Sequence, residues 1–279
     1  MKRELSFSDQ VARTITKTYR STIWNPFIRA VKEYKLIEEG DRIAVCISGG
    51  KDSMLLALCM KLLERHSDFP FEVRYLSMDP GYSSQNRERL EENARLLEIP
   101  VEFFETNIFD VAFHQERYPC YLCAKMRRGH LYKEAQIRGC NKIALGHHFS
   151  DVIETTVMAM FYSSQLQAMM PKLKSTNYSG MELIRPLYCV HEEDIIRWRD
   201  KNSLSFLDCA CRFTESIKNS PDGVGESKRA ETKALIKELK KTNPNIEKSI
   251  FNAIHHVHLD TFPRYFSNGE EHFFTENYR

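Results

Sequence analysis

The chain has 279 residues, 42% hydrophobic and 28% charged, with 40 Lys and Arg against 38 Asp and Glu for a net charge of +2. This length supports one large domain, or one plus an appendage, with a real hydrophobic core, and the composition excludes disorder as the dominant state. The near-neutral charge excludes a global field for nucleic acid, so any such binding must come from local patches.

The most apolar stretch, Met54 to Met60, meets Lys61 far short of the ~20 residues of a membrane span, and Lys2-Arg3-Glu4 opens no signal peptide. A soluble, cytoplasmic chain with no membrane contact is expected. In a reducing compartment, its eight cysteines argue for metal binding or sulfur chemistry rather than disulfides.

Residues 1–38 read as a helical cap, because Val11, Ile15, Tyr19 and Ile23 recur every four positions. The continuous apolar run Ile43 to Ile47 then reads as a buried strand, Ser48-Gly49-Gly50 as a tight turn and 53–65 as a helix. The alternation continues with strands at 73–78, 101–104 and 142–145 and helices at 85–97, 124–137 and 151–161. After Tyr162 the rhythm breaks into an extended hairpin, expected as an excursion from the sheet at about 163–188. A helix at 192–202, a breaker at 221–225 and two helices separated by Asn243-Pro244 complete the chain, and the aromatic stretch from Phe262 carries no assignment. Strands alternating with helices predict an α/β fold with a doubly wound, mainly parallel sheet over 39–210 and a helical extension over 211–279.

Ser48-Gly49-Gly50-Lys51-Asp52-Ser53 falls between the first strand and its helix, where unpaired backbone N–H groups and the helix dipole favour an anion. Glycines let the backbone close on phosphate, and the lysine and serines finish the cradle. An ordinary Walker A loop is excluded, because Val45 stands where its first glycine belongs and Asp52 follows the lysine. The alternative is a glycine turn with a helix cap at Asp52 or Ser53. The hexapeptide resembles the loop of the ATP pyrophosphatases, which split ATP between the α and β phosphates.

Gly146-His147-His148-Phe149-Ser150-Asp151 ends another expected strand and so comes to the same carboxyl edge of the sheet. Asp151 is placed to help hold Mg²⁺ or order the loop, and His147 to contact phosphate or substrate, against the plainer reading of a capped helix start. Asp79, ending the second strand, is placed to meet adenosine or simply to initiate the turn at Pro80.

Cys120 and Cys123 are spaced to share one metal or one disulfide, just before a basic segment, Lys125-Met126-Arg127-Arg128. Cys209 and Cys211 are the candidates to join them: three thiolates on a 4Fe–4S cluster leave one iron open, whereas four would close a site as structural zinc does. Cys46 and Cys59 read as buried filler, and Cys140 and Cys189 likewise. For nucleic acid, 227–241 offers a local basic helix, while Arg127, Arg128, Lys172 and Lys174 lie beside the cysteine pair and in the hairpin.

Together, Ser48 to Ser53, Cys120 to Cys123, Gly146-His147-His148 with Asp151, Met170-Pro171-Lys172-Leu173, Ile184-Arg185-Pro186-Leu187 and a cysteine 22 residues after Leu187 resemble the tRNA 2-thiocytidine synthetase family. The resemblance runs over roughly residues 20–260 and departs from the family pattern at Asp208 and Cys211. It implies a five-stranded adenine nucleotide alpha hydrolase-like sheet, and an ATP- and Mg²⁺-dependent sulfurtransferase in which Lys51, Asp52 and Asp151 are catalytic. Ser48 to Ser53, Asp79, His147 and Asp151 would bind ATP, and Cys120, Cys123 and Cys209 would ligate a 4Fe–4S cluster. The implied partners are tRNA, held near Arg127, Arg128, Lys172 and Lys174, and a sulfur donor such as a cysteine desulfurase, with a homodimer left open. Close alternatives are 2-thiouridine synthetases or other sulfur-handling relatives, and a metal-stabilised RNA-binding protein without catalysis.

Overall fold

The computed structural model describes residues 5–106, 119–207 and 228–276, with 119–125 described by their backbone alone. Two compact units form, one from 1–152 and 169–225, the other from 153–168 and 226–279.

The first unit is built on strands β1 (Arg42–Cys46), β2 (Glu72–Asp79), β3 (Val101–Glu105), β4 (Lys142–Ala144), β5 (Lys172–Lys174) and β6 (Glu182–Ile184), in the order β3-β2-β1-β4-β6-β5. β1 lies inside the sheet because its Ile43-Ala44-Val45 run has no polar face to offer water, and it pairs in parallel with both neighbours, Ile43 opposite Val73 and Lys142. Helices α3 (Lys51–His66) and α5 (Pro119–Ile137) flank the sheet, with α1 (Phe7–Thr16), α2 (Asn25–Glu33), α4 (Ser84–Leu96) and α7 (Glu192–Lys201) around them. Ala44 and Cys46 point to the α5 side with Leu76, Met78 and Ile143. Ile43 and Val45, one step out of phase, point to the other face, where the apolar residues of α3 pack. The chain thus moves from β1 outward to β3 and then returns to the other flank of β1 with β4. That makes the crevice between the carboxyl ends of β1 and β4 a topological switch point.

The doubly wound, mainly parallel sheet is as expected, but it has six strands rather than five. The hairpin read as an excursion supplies two of the six: β6 pairs in parallel with β4 and β5 pairs antiparallel on β6. Leu183 and Ile184 are 1% and 0% exposed, so their burial outweighs the polar turn that made the segment look external. Helix α5 also begins earlier than the expected 124, taking Cys120 and Cys123 into its first turns. Pro119 is a favoured opening residue for a helix, which explains the boundary. In the N-terminal segment Val11, Ile15, Ile23 and Phe27 are at most 1% exposed, and the Ser8 hydroxyl donates to the Leu97 carbonyl at 2.7 Å.

At the amino end of the sheet Lys142 is almost wholly buried, its amine 2.6 Å from Asp41, 3.4 Å from Glu38 and 3.4 Å from Glu182, and donating to the Leu36 carbonyl. Lys172 joins the same acid cluster, 3.0 Å from Glu182.

The second unit comprises the later turns of α6 (Phe149–Ser163), α8 (Lys228–Thr242), α9 (Ile246–Ala253) and a hairpin, β7 (Arg264–Ser267) with β8 (Glu270–Phe273). Arg229 holds the buried Glu154 carboxylate at 2.9 Å, and the Tyr162 hydroxyl donates to Glu231. The hairpin occupies the stretch left unassigned from sequence, closed by Asn268-Gly269, the strongest two-residue hairpin signal.

Candidate active site

The loop after β1 is held by its own side chains. Ser53 Oγ accepts from the Ser48 N–H and Ser48 Oγ, both at 3.2 Å, and donates to the Gly50 carbonyl at 2.9 Å. Gly50 opens α3 with extended backbone and no side-chain cap, so the helix starts at Lys51 rather than being capped by Asp52 or Ser53. The first-turn N–H groups of α3 have no carbonyl one turn back to bond, and with the helix dipole they form an anion cradle. Gly49 sits at φ +82, and a side-chain carbon there would come 2.7 Å from Leu207 Cδ1. The Leu207 N–H also donates to the Gly49 carbonyl at 3.0 Å, pinning the chain to the loop two residues before Cys209.

The second strand end meets this loop directly. A Cβ on Gly146 would lie 3.1 Å from the Asp52 carbonyl carbon and the Ser53 nitrogen, so only glycine lets the two backbones approach so closely. Asp151 Oδ2 accepts from the His148 N–H at 3.0 Å, closing the start of α6, so the capped-helix reading of this segment holds alongside its place in the site. His148 Nε2 lies 3.7 Å from Asp52 Oδ1, an oxygen that is buried and has no hydrogen-bond partner among the described residues. Lys51 Nζ lies 3.2 Å from Asp52 and 3.1 Å from Glu192. Burial pulls the Lys51 pKa down, but the two carboxylates outweigh it and hold the amine above the usual lysine value. Glu192 is a site residue that the sequence does not single out. Glu192-Glu193-Asp194 looks like the acidic first turn of any helix, and only the fold turns its first member toward Lys51.

Residues 16–212 match the family model of the PP-loop domain. Across most of its length the chain is also similar to curated tRNA-cytidine(32) 2-sulfurtransferases: 37% identical to that of Geotalea uraniireducens, covering 85% of this chain and 90% of the relative, and 38% identical to that of Geotalea daltonii, covering 82% and 88%. The chain belongs to the tRNA-cytidine(32) 2-sulfurtransferase family. In fold it is similar to the U34-tRNA thiolase NcsA from Methanococcus maripaludis, described with its [4Fe-4S] cluster, at a TM-score of 0.64 and 17% identity over 84% of this chain and 79% of that one.

Within this tRNA-cytidine(32) 2-sulfurtransferase family member, the structure brings the Ser48 to Ser53 loop together with Gly146, His148 and Asp151, and His147 lies between Gly146 and His148 in the chain. Asp79 is engaged in its own turn: its Oδ1 accepts from the Gly81 and Tyr82 N–H groups at 2.9 and 2.8 Å, and Arg87 lies 2.7 Å from Oδ2. Burial raises its pKa, but those donors and Arg87 bring it below the ordinary carboxylate value. Cys120 and Cys123 stand one helical turn apart on α5, the spacing that suits two thiolates on one metal centre. Cys209 and Cys211 lie outside the described residues. Cys46, Cys59, Cys140 and Cys189 are buried, as read from sequence. Arg127 and Arg128 lie on α5 beyond the cysteines, with Arg128 exposed, and Lys174 is exposed on β5. Lys172, by contrast, spends its amine on the acid cluster at the opposite edge of the sheet. Among the described residues no three His, Cys, Asp or Glu side chains converge as a metal site, and no helix is long and apolar enough to cross a membrane.

Proposed function

We propose that this chain is an ATP-dependent tRNA sulfurtransferase that replaces the C2 oxygen of a cytidine, cytidine 32 of the anticodon loop, with sulfur. The observation that carries the reading is the contact of Gly146 with the Asp52 backbone, which joins the phosphate loop and the Gly-His-His segment into one crevice at the switch point. The C2 oxygen is a poor leaving group until it is adenylated. It attacks the α-phosphorus of ATP, the α–β bridging bond breaks and pyrophosphate departs. Sulfur at the hydrosulfide level then attacks C2, the C2–O bond breaks, AMP leaves with the oxygen and a proton is released.

The residues divide the work by position. The first-turn N–H groups of α3 and Lys51 face the departing pyrophosphate, and phosphate oxygens would take over Lys51 from Glu192 and Asp52. Asp52 Oδ1, which accepts no hydrogen bond among the described residues, and Asp151 would be the carboxylates to meet Mg²⁺, which binds readily through phosphates, waters and one or two carboxylates and so needs no preformed three-ligand cage. Cys120, Cys123 and Cys209 would hold a 4Fe–4S cluster, which would supply an iron position without a protein ligand for sulfur chemistry. The donor chemistry fits, because two of the three thiolates come from one helical turn and the third follows the Leu207 anchor on the loop. The reading assigns the reaction to the cytoplasm, where tRNA is used, and takes a cysteine desulfurase as the class of sulfur donor.

Lys51→Ala tests the adenylation half. tRNA-dependent release of AMP and pyrophosphate should fall by about 10²–10³-fold with thermal stability retained. Equal loss of fold and activity, or 2-thiocytidine unchanged by mass spectrometry in tRNA from cells lacking the gene, would overturn the reading.

A further inference from the structure

Arg185 directly follows β6, and its backbone is fixed on both sides: its N–H donates to the Pro171 carbonyl at 2.9 Å, and the Ile184 carbonyl accepts from Leu145. This places it at the carboxyl edge of the sheet, next to the strand end that carries Gly146. The residue is only 6% exposed, and its Nε is buried without a hydrogen-bond partner among the described residues. Nη1 donates to the Met170 carbonyl, and among the described residues no carboxylate lies within ion-pair distance. Among the described residues, the groups that act on it are Arg128, the hydroxyls of Tyr188 and Tyr132, and Asp151 from beyond ion-pair range. Burial, and after it the nearby Arg128, push its pKa down to about 10, so it remains a cation at neutral pH.

A buried cation with an unused donor is costly unless a ligand completes it. We propose that Arg185, with exposed Arg128 at its mouth, forms a subsite for one phosphate group of the RNA, next to the nucleotide being modified. This rests on the proposed tRNA-thiolating function and adds a substrate contact to it. A guanidinium that presents Nε together with a terminal nitrogen suits phosphate oxygens in fork geometry. Position favours RNA over ATP as the source: the cradle for the ATP phosphates follows β1, whereas Arg185 follows β6, two strands and about 10 Å away. Arg128 lies five residues after Cys123 on α5, so the subsite is flanked by the helix with the cysteine pair and by the Gly-His-His strand end.

Arg185→Met and Arg185→Lys test this in the full-length protein, with a synthetic anticodon stem-loop RNA and a non-hydrolysable ATP analogue as probes. Arg185→Met should weaken stem-loop binding about tenfold at low salt and lower the slope of log affinity against log salt by about 0.7–0.9, one phosphate's worth. Binding of the ATP analogue should stay within about twofold, and the free variant should melt no lower than wild type because an uncompensated buried charge has been removed. Arg185→Lys should recover part of the RNA affinity. Unchanged RNA affinity and salt slope with a lower melting temperature would make Arg185 structural and overturn the subsite. Loss of analogue binding with RNA binding intact would overturn the RNA assignment and give the phosphate to ATP. Wild type that binds no stem-loop would refute the tRNA reading itself, and this assignment with it.

Discussion

Gly146→Ala isolates the packing that joins the two halves of the site. Gly146 has no positive φ, so the methyl brings no backbone strain, and its cost is steric alone. The added carbon would meet the Asp52 carbonyl carbon and Ser53 nitrogen at 3.1 Å and the Asp52 oxygen at 3.3 Å. All three are backbone atoms of the first turn of α3, so relief requires the helix start to move by a few tenths of an ångström. Overpacking of this kind costs about 1–3 kcal/mol. The displaced turn carries Lys51 and Asp52, and because a shift of about 1 Å costs roughly 10²-fold in rate, this smaller shift should cost roughly tenfold. Gly49→Ala is the contrast: the neighbouring Leu207 side chain can yield, but φ +82 adds roughly 1–2 kcal/mol of strain. The assay is steady-state pyrophosphate release over a range of ATP concentrations, with thermal denaturation of the same samples. Gly146→Ala should raise the KM for ATP and lower kcat/KM about tenfold with a modest loss of stability. Wild-type kinetics and an unchanged melting temperature would show that the two strand ends are not in close contact and that the crevice is not a single site.

Further outcomes are expected. Lys142→Met leaves Asp41, whose side chain is 5% exposed, without its cation, and should cost about 3–5 kcal/mol in denaturant titration. Burial lowers the Lys142 pKa, but Asp41, Glu182 and Glu38 outweigh it and raise it above its unfolded value, so the stabilisation is complete below the unfolded lysine pKa and is lost as pH rises through the raised folded one. The gap between wild type and Lys142→Met should therefore stay constant through neutral pH and shrink only in alkali; a gap that closes on acidification through neutral pH would refute this account. Protein purified without oxygen should be brown and carry about four irons per chain. Serine at Cys120, Cys123 or Cys209 should abolish thiolation while nucleotide binding survives, and Cys211→Ser should be tolerated; a colourless, zinc-loaded, air-stable protein would replace the cluster with a structural site.

How much of this could be read from the chain follows from how local each signal is. The β1 run, the glycine loop and the Gly-His-His segment each announce themselves within a few residues, and strand-helix alternation brings both loops to one sheet edge. The segment from Phe262 hid in the same local pattern, since its Asn268-Gly269 turn was in view but its strands are only four residues each. The β5–β6 hairpin reads as an excursion for a tertiary reason: a three-residue strand has too little period to show which sheet it joins, and only pairing with β4 decides it.

The residues that sequence reading does not find share one feature, a role defined by a partner far along the chain. Glu192 looks like an acidic helix start until Lys51, 141 residues earlier, closes on it. Arg185 looks like one member of an Arg-Pro-Leu turn until the fold buries it, among the described residues, with no carboxylate at ion-pair distance and sets it near Arg128. Both stand where local rules give a bland answer and the tertiary environment a costly one: a lysine held between two carboxylates in a phosphate cradle, and a buried guanidinium with a donor unspent. Neither arrangement is the cheapest for an isolated fold, since a neutral apolar residue at position 185 would pack without a desolvation cost. Natural chains break local rules mainly at functional sites. The two conflicts sit on the one edge of the sheet where the nucleotide loop, the Gly-His-His strand end and the start of α7 come together, so the place to look for substrate contacts is that edge rather than the exposed basic face of α8.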